Sequence, residues 1–128
     1  MIDNLKKYTY MIQNDADFER NPIFLYGIEC GPGWIPTILE LLDILSLMDI
    51  NKKIELHQIK SKFAEFRFYY KYTGTDKDEK TRIENIIQLY TQKINKQCEL
   101  CGDPANLQLD SGWRYKYCDD CLDKHHRR

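Results

Sequence analysis

Residues 98–121 read CELCGDPANLQLDSGWRYKYCDDC, two Cys-x-x-Cys hooks, Cys98/Cys101 and Cys118/Cys121, with sixteen residues between them. Each hook lets two sulfurs reach one ion from a tight turn, and the separation lies in the range of four-thiolate sites. The stretch predicts a tetrahedral zinc site. Four cysteine ligands leave no position open for water, which makes the expected zinc structural rather than catalytic. Between the hooks, Leu107 and Leu109, then Ser111-Gly112, then Trp113, Tyr115 and Tyr117 read as two short strands about a turn, the pattern of a zinc ribbon. His125 and His126 could replace one cysteine, but two complete hooks make that unnecessary.

Working back from Cys98, Ile83, Ile86, Ile87, Tyr90 and Ile94 share one helical face, with Thr75 or Asp76 available as the cap. Before it, Ile54, Leu56 and Gln58 alternate with Glu55 and His57. Beyond a polar link at Lys60-Ser61-Lys62, Phe66, Phe68, Tyr70 and Tyr72 alternate with Arg67, Tyr69 and Lys71, so the period of two predicts a hairpin. Ile38, Leu41, Leu42, Leu45 and Met48 form the stripe of a core helix with Pro36 near its start. The run Ile23 to Ile28, ending at Gly31-Pro32-Gly33, predicts a buried strand entering a tight turn. Ile2, Leu5, Tyr8, Met11 and Ile12 predict a short first helix, and His125 to Arg128 a mobile basic tail. The expected architecture is α+β, a small antiparallel sheet with two to three helices over residues 1–97 and a zinc ribbon with its tail over 98–128.

At 128 residues the chain is long enough to bury one core, and 42% hydrophobic residues with nine tyrosines and five phenylalanines set it apart from disorder. An odd cysteine count with four in hooks points to a reducing compartment, leaving Cys30 as a small buried hydrophobe. The N-terminus has no apolar signal core and no stretch reads as membrane-spanning, so the expected location is cytoplasmic. The net charge of -1 hides an asymmetry. Residues 1–50 carry eight acids against three bases, whereas residues 51–97 carry eleven bases against six acids. A basic middle suits an anionic ligand, or pairs with the acidic half.

Two further constellations are candidate binding elements. Glu29-Cys-Gly31-Pro-Gly33-Trp34 places glycine amides at a helix start, where an anion could sit. Alternation on the hairpin sets Arg67, Tyr69 and Lys71 opposite the packed aromatics, and with Lys60 and Lys62 they suit a phosphate beside a stacked base. Enzyme signatures are not visible: His57 stands alone outside the tail, with no Ser-His-Asp, HExxH or Cys-His pattern around it.

Glu-Cys-Gly-x-Gly-Trp at 29–34, Lys-x-Lys-Phe-x-x-x-Arg-Phe-Tyr at 60–69, and the two hooks with Gly112-Trp113 between them resemble a family of small proteins encoded by bacteriophages and prophages. The resemblance spans about residues 23–121. No biochemical role is attached to that family, so it implies a viral origin and the host bacterial cytoplasm rather than a reaction. Ala64 stands where the family carries glycine.

The expected function is a non-enzymatic module that holds an anionic nucleotide-type ligand between the glycine turn (Glu29, Gly31, Gly33, Trp34) and the basic hairpin (Lys60, Lys62, Arg67, Tyr69). Sequestering a host immune signal, a counter-defence role, would be one use. The alternative is a module that binds and inhibits a host enzyme through Trp113, Tyr115 and Tyr117. Nucleic-acid binding is the weaker reading, because Asp103, Asp110, Asp119 and Asp120 offset Arg114 and Lys116 in the ribbon. Homo-oligomerisation is left open.

Overall fold

The computed structural model describes residues 3–126 and has an α+β architecture. Among the described residues a 3-10 turn, Asp3–Tyr8, runs into α1 (Thr9–Gln13), and α2 (Pro22–Tyr26), β1 (Ile28–Glu29) and α3 (Ile35–Met48) follow. The hairpin β2 (Ile54–Lys62) and β3 (Glu65–Tyr72) leads to α4 (Lys77–Ile94). The ribbon supplies β4 (Gln108–Asp110), β5 (Trp113–Tyr115) and α5 (Asp119–His126).

The three-stranded sheet has the order β1-β2-β3, with β1 parallel and β3 antiparallel to β2. The sheet is therefore mixed. Its parallel member is only two residues long, pairing Ile28 with Ile59 and Glu29 with Lys60. The strand expected over Ile23–Ile28 is mostly helix instead. Pro22 presets the first helical turn, and Gly27, at φ +69, reverses the chain before β1. Leu25 and Tyr26 are accordingly exposed, where a buried strand would have hidden them.

The period-3.6 readings correspond to the observed helix faces. Ile38, Leu41, Leu42 and Leu45 are fully buried on α3, and Ile83, Ile87, Tyr90 and Ile94 are buried on α4. These helices pack against each other, and with Trp34, Ile54, Leu56, Ile59 and Phe66 they form one core, which Leu5, Tyr8, Met11 and Ile12 close from the N-terminal side. Ile2 lies outside the described residues. The Asp76 side chain accepts the amides of Asp78 and Glu79, a cap that stabilises α4 by about 1 kcal/mol.

The sequence Lys60-Ser61-Lys62, read as a link, continues β2 to the hairpin tip. The turn is only Phe63-Ala64, with φ of +54 and +64, the two left-handed residues of a primed hairpin turn. Ala64 thus occupies a left-handed position that glycine adopts without cost. The ribbon hairpin turns in the same way at Ser111-Gly112, φ +51 and +84. The expected basic tail is ordered up to His126. α5 reaches that far, and His125 packs on Tyr115 and Tyr117 with ring centroids 5.2 and 5.7 Å away, while Arg127 and Arg128 lie outside the described residues.

Candidate metal centre and the surfaces around it

Cys98 and Cys101 flank one tight knuckle, closed by Gly102 N–H to the Cys98 carbonyl at 2.8 Å with Gly102 at φ +86. Cys118 and Cys121 flank the start of α5, where the Leu122 amide donates to the Cys118 carbonyl. The two knuckles bring all four Sγ atoms within 4.8 Å of one another. Cys101 and Cys118 sulfurs are 3.7 Å apart, the edge expected of a tetrahedron with bonds of about 2.3 Å. The four are positioned to bind one metal ion. Histidine is not recruited: His125 is stacked on tyrosines, and His126 meets Asp110 at 2.9 Å.

The electrostatics suit a cation. Burial raises the Cys98 thiol, but the amides of Cys118, Cys101 and Leu100 point at its sulfur and outweigh that, bringing it down to about 7. Cys121 is pushed up to about 12, chiefly by its hydrogen bond to Cys118. A divalent ion binds such sulfurs as thiolates and displaces their protons. Cys30 stays apart, its thiol pushed up to about 12 by burial and then by Glu99, so it is held protonated and unreactive.

The first knuckle is seated on the glycine turn. Gly33 N–H donates to the Glu99 carbonyl at 2.7 Å, Gly31 N–H to the Glu99 carboxylate at 2.9 Å, and Trp34 Nε1 to the Gln97 carbonyl at 2.8 Å. Ser61 Oγ donates to the other Glu99 oxygen at 2.7 Å. A side chain at Gly33 would strike the Cys98 carbonyl and the Cys101 and Gly102 amides, and one at Gly31 would strike the Glu99 backbone. These glycines are required by close approach of the knuckle.

This corrects the expected ligand site. The glycine turn does bind an anion, but the anion is the carboxylate of Glu99. Trp34 is fully buried and unavailable to a ligand. Glu29 accepts a hydrogen bond from Gln58 at 3.1 Å and pairs in register with Lys60. Register sets Arg67 directly across from Lys60 on the far strand, so Arg67 is two strands, about 10 Å, from Glu29. Gly31 and Gly33 are thus taken up by the knuckle and Trp34 by the core, while Lys60, Lys62, Arg67 and Tyr69 remain together on the hairpin. There Arg67, Lys62 and Tyr69 are exposed, and the Lys60 ammonium lies 5.9 Å from the Tyr69 ring.

Docking of the knuckle has a second result. It brings the tip of the ribbon hairpin beside the tip of the β2–β3 hairpin, where Phe63, Ala64, Gly112, Trp113 and Arg114 line a cleft of about 490 Å³. Phe63 is 66% and Trp113 71% exposed, both unusual for such large rings. Lys62 projects beside them, its ammonium 5.7 Å from the Phe63 ring. Tyr115 and Tyr117 are not free partners of Trp113; they pack on each other, centroids 5.0 Å apart, and on α5. The cleft escaped the sequence reading because Phe63 and Trp113 are joined only through the fold. The one local signal was an aromatic residue at each hairpin tip.

No protein-family model matches the chain, and neither a curated protein nor a solved structure does. Among the described residues no helix is long and apolar enough to cross a membrane.

Proposed function

We propose that this chain is a zinc-stapled, non-enzymatic binding module whose ligand is an anionic nucleotide-type molecule held between the two hairpin tips. The observation that carries the reading is the pair of exposed rings, Phe63 and Trp113, on one cleft with Arg114 and beside Lys62. A base stacked on such a ring contributes about 1–3 kcal/mol, and the flanking cations complement its phosphate. The basic row Lys60 and Arg67 with Tyr69 continues from the cleft along the hairpin. A cleft of this size fits one nucleotide unit. The metal we assign to the four thiolates is zinc, in a closed site that joins the two knuckles rather than performing chemistry. With the phage resemblance, sequestration of a nucleotide signal in an infected bacterium is the biological use we attach to it.

The test uses the two tryptophans. Trp34 is buried and Trp113 exposed, so quenching of the exposed fluorescence should follow stacking. Mononucleotides, cyclic dinucleotides and short single-stranded oligonucleotides should quench it and raise the melting temperature, and Trp113→Ala should abolish both effects. Neither quenching nor a thermal shift with any of these would defeat the reading.

A second reading rests on a separate observation. Leu107 and Leu109, two positions apart on the ribbon, are exposed at 43% and 73%, an apolar pair that suits a protein partner. Capture of a host enzyme that depends on Leu109 would favour it.

A further inference from the structure

At the opposite end of β2 from the cleft, Asp15, Glu55 and His57 converge, their ligand atoms all within 4.8 Å of one another. We propose that these three residues form a second divalent-metal site, with one imidazole and two carboxylates, independent of the cysteines. His57 Nε2 lies 3.5 Å from Asp15 Oδ2 and 3.9 Å from Glu55 Oε2. Both distances are too long for hydrogen bonds, and both are near the separation of about 3.4 Å between ligands on one tetrahedral ion with bonds of about 2.1 Å.

Two observations point to a missing partner rather than to a solvated charge cluster. His57 Nε2 is sealed from solvent and has no hydrogen-bond partner, a costly state for a buried nitrogen aimed at two acceptors. Glu55 is only 8% exposed. Other buried carboxylates in the fold are supplied with donors: Asp49 accepts the amides of Lys53 and Ile54, and Glu79 accepts the Tyr72 hydroxyl. The His57 nitrogen stands 3.9 Å from the Glu55 carboxylate.

The chain also builds the surroundings of a metal ligand. Asp15 accepts the Asp17 amide at 3.0 Å and the Asn21 side chain at 2.9 Å, outer contacts that fix its orientation. β2 breaks register at His57, the extra residue between the Leu56–Tyr70 and Gln58–Tyr69 pairs. Bulges of this kind re-aim a side chain and recur beside functional sites. Lys71, opposite Glu55 in register, is the cation of this neighbourhood.

One nitrogen with two carboxylate oxygens suits Mn²⁺, Fe²⁺, Co²⁺ or Zn²⁺ better than Ca²⁺, which takes more oxygens. Three protein ligands leave coordination positions open, unlike the closed cysteine site. His57 and Lys62 are five residues apart on the strand, about 16 Å, so this site and the proposed nucleotide cleft stand or fall separately.

The experiment starts from the full chain with its cysteine site already loaded with zinc, and adds Mn²⁺. Native mass spectrometry and Mn²⁺ electron paramagnetic resonance should report one further ion per chain. Asp15→Asn and His57→Ala should each weaken that uptake at least about tenfold without lowering the zinc content. Asp15→Asn retains the shape of its turn, so it keeps the test sound if a change at buried Glu55 prevents folding. In NMR, the His57 ring signals of the wild type should broaden on Mn²⁺ addition. No second ion, undiminished uptake in both variants, or His57 signals that ignore the metal would overturn the proposal.

Discussion

The Glu99 carboxylate accepts the Gly31 amide at 2.9 Å, across 68 positions of sequence. With its carbonyl on the Gly33 amide and its second oxygen on Ser61, this residue fastens the metal knuckle to both the glycine turn and β2. Glu99→Ala should cost about 1.5–3 kcal/mol, the value of hydrogen bonds to a charged group, and Glu99→Gln less. Urea unfolding with metal in excess checks this, and an unchanged midpoint would show that the knuckle is held by the metal alone.

Gly33 is the companion case. Gly33→Ala must push a methyl into the Cys98 carbonyl and the Cys101 and Gly102 amides, at a cost of about 1–3 kcal/mol. Because the displaced atoms shape the knuckle, zinc affinity measured by chelator competition should fall with stability. Gly112→Ala, with nothing near its added carbon but φ at +84, should lose stability through backbone strain and leave zinc affinity unchanged.

The core prediction is Leu45→Ala. Leu45 is fully buried between α3, α4 and the sheet, so the cavity should cost about 2–5 kcal/mol. A thermal or denaturant melt reads it directly; a loss under 1 kcal/mol would mean that the surrounding side chains collapse into the space.

One hydrogen bond should shape stability at both ends of the pH range. Tyr8 donates to Asp43 at 2.6 Å, with Lys7 on the same oxygen at 3.0 Å. Burial, then this bond, raises the Tyr8 phenol; the same bond, then Lys7, lowers the Asp43 carboxyl. The folded state therefore favours neutral Tyr8, a contribution complete below pH about 10 and lost as pH rises beyond it. It also favours ionised Asp43, a contribution present above pH about 4 and lost on further acidification. Tyr8→Phe should flatten both limbs of the stability–pH curve, while Tyr10, bonded to Asp49 at 3.0 Å, keeps part of the alkaline one.

Phe63 combines exposure with backbone strain. An L-residue other than asparagine, aspartate or glycine at φ +54 costs about 1–2 kcal/mol, and the ring is 66% exposed, so burial does not offset it. Phe63→Asn should raise stability by about 0.5–1.5 kcal/mol and weaken nucleotide binding at least about tenfold. Greater stability with undiminished binding would remove Phe63 from the proposed site and leave the turn unexplained.

The chain alone determined the pieces whose signal is complete within a turn or two of backbone. The hooks predicted the metal ligands, because two sulfurs three apart meet one ion wherever the chain goes afterwards. Leu41 and Leu45 on α3, Ile83 and Ile87 on α4, and the alternation through Phe66 and Phe68 marked their elements, since side-chain direction follows from helical and strand periods. Ile23 to Ile28 misled because five apolar residues fit either period, and Pro22 with Gly27 decided for a helix. The tertiary structure alone decided what the glycine turn binds, that Trp113 and Phe63 line one cleft, and how Asp15 reaches His57. Each of these joins residues far apart in sequence, and their contact depends on how α3, the sheet and the knuckle pack, which no local pattern encodes.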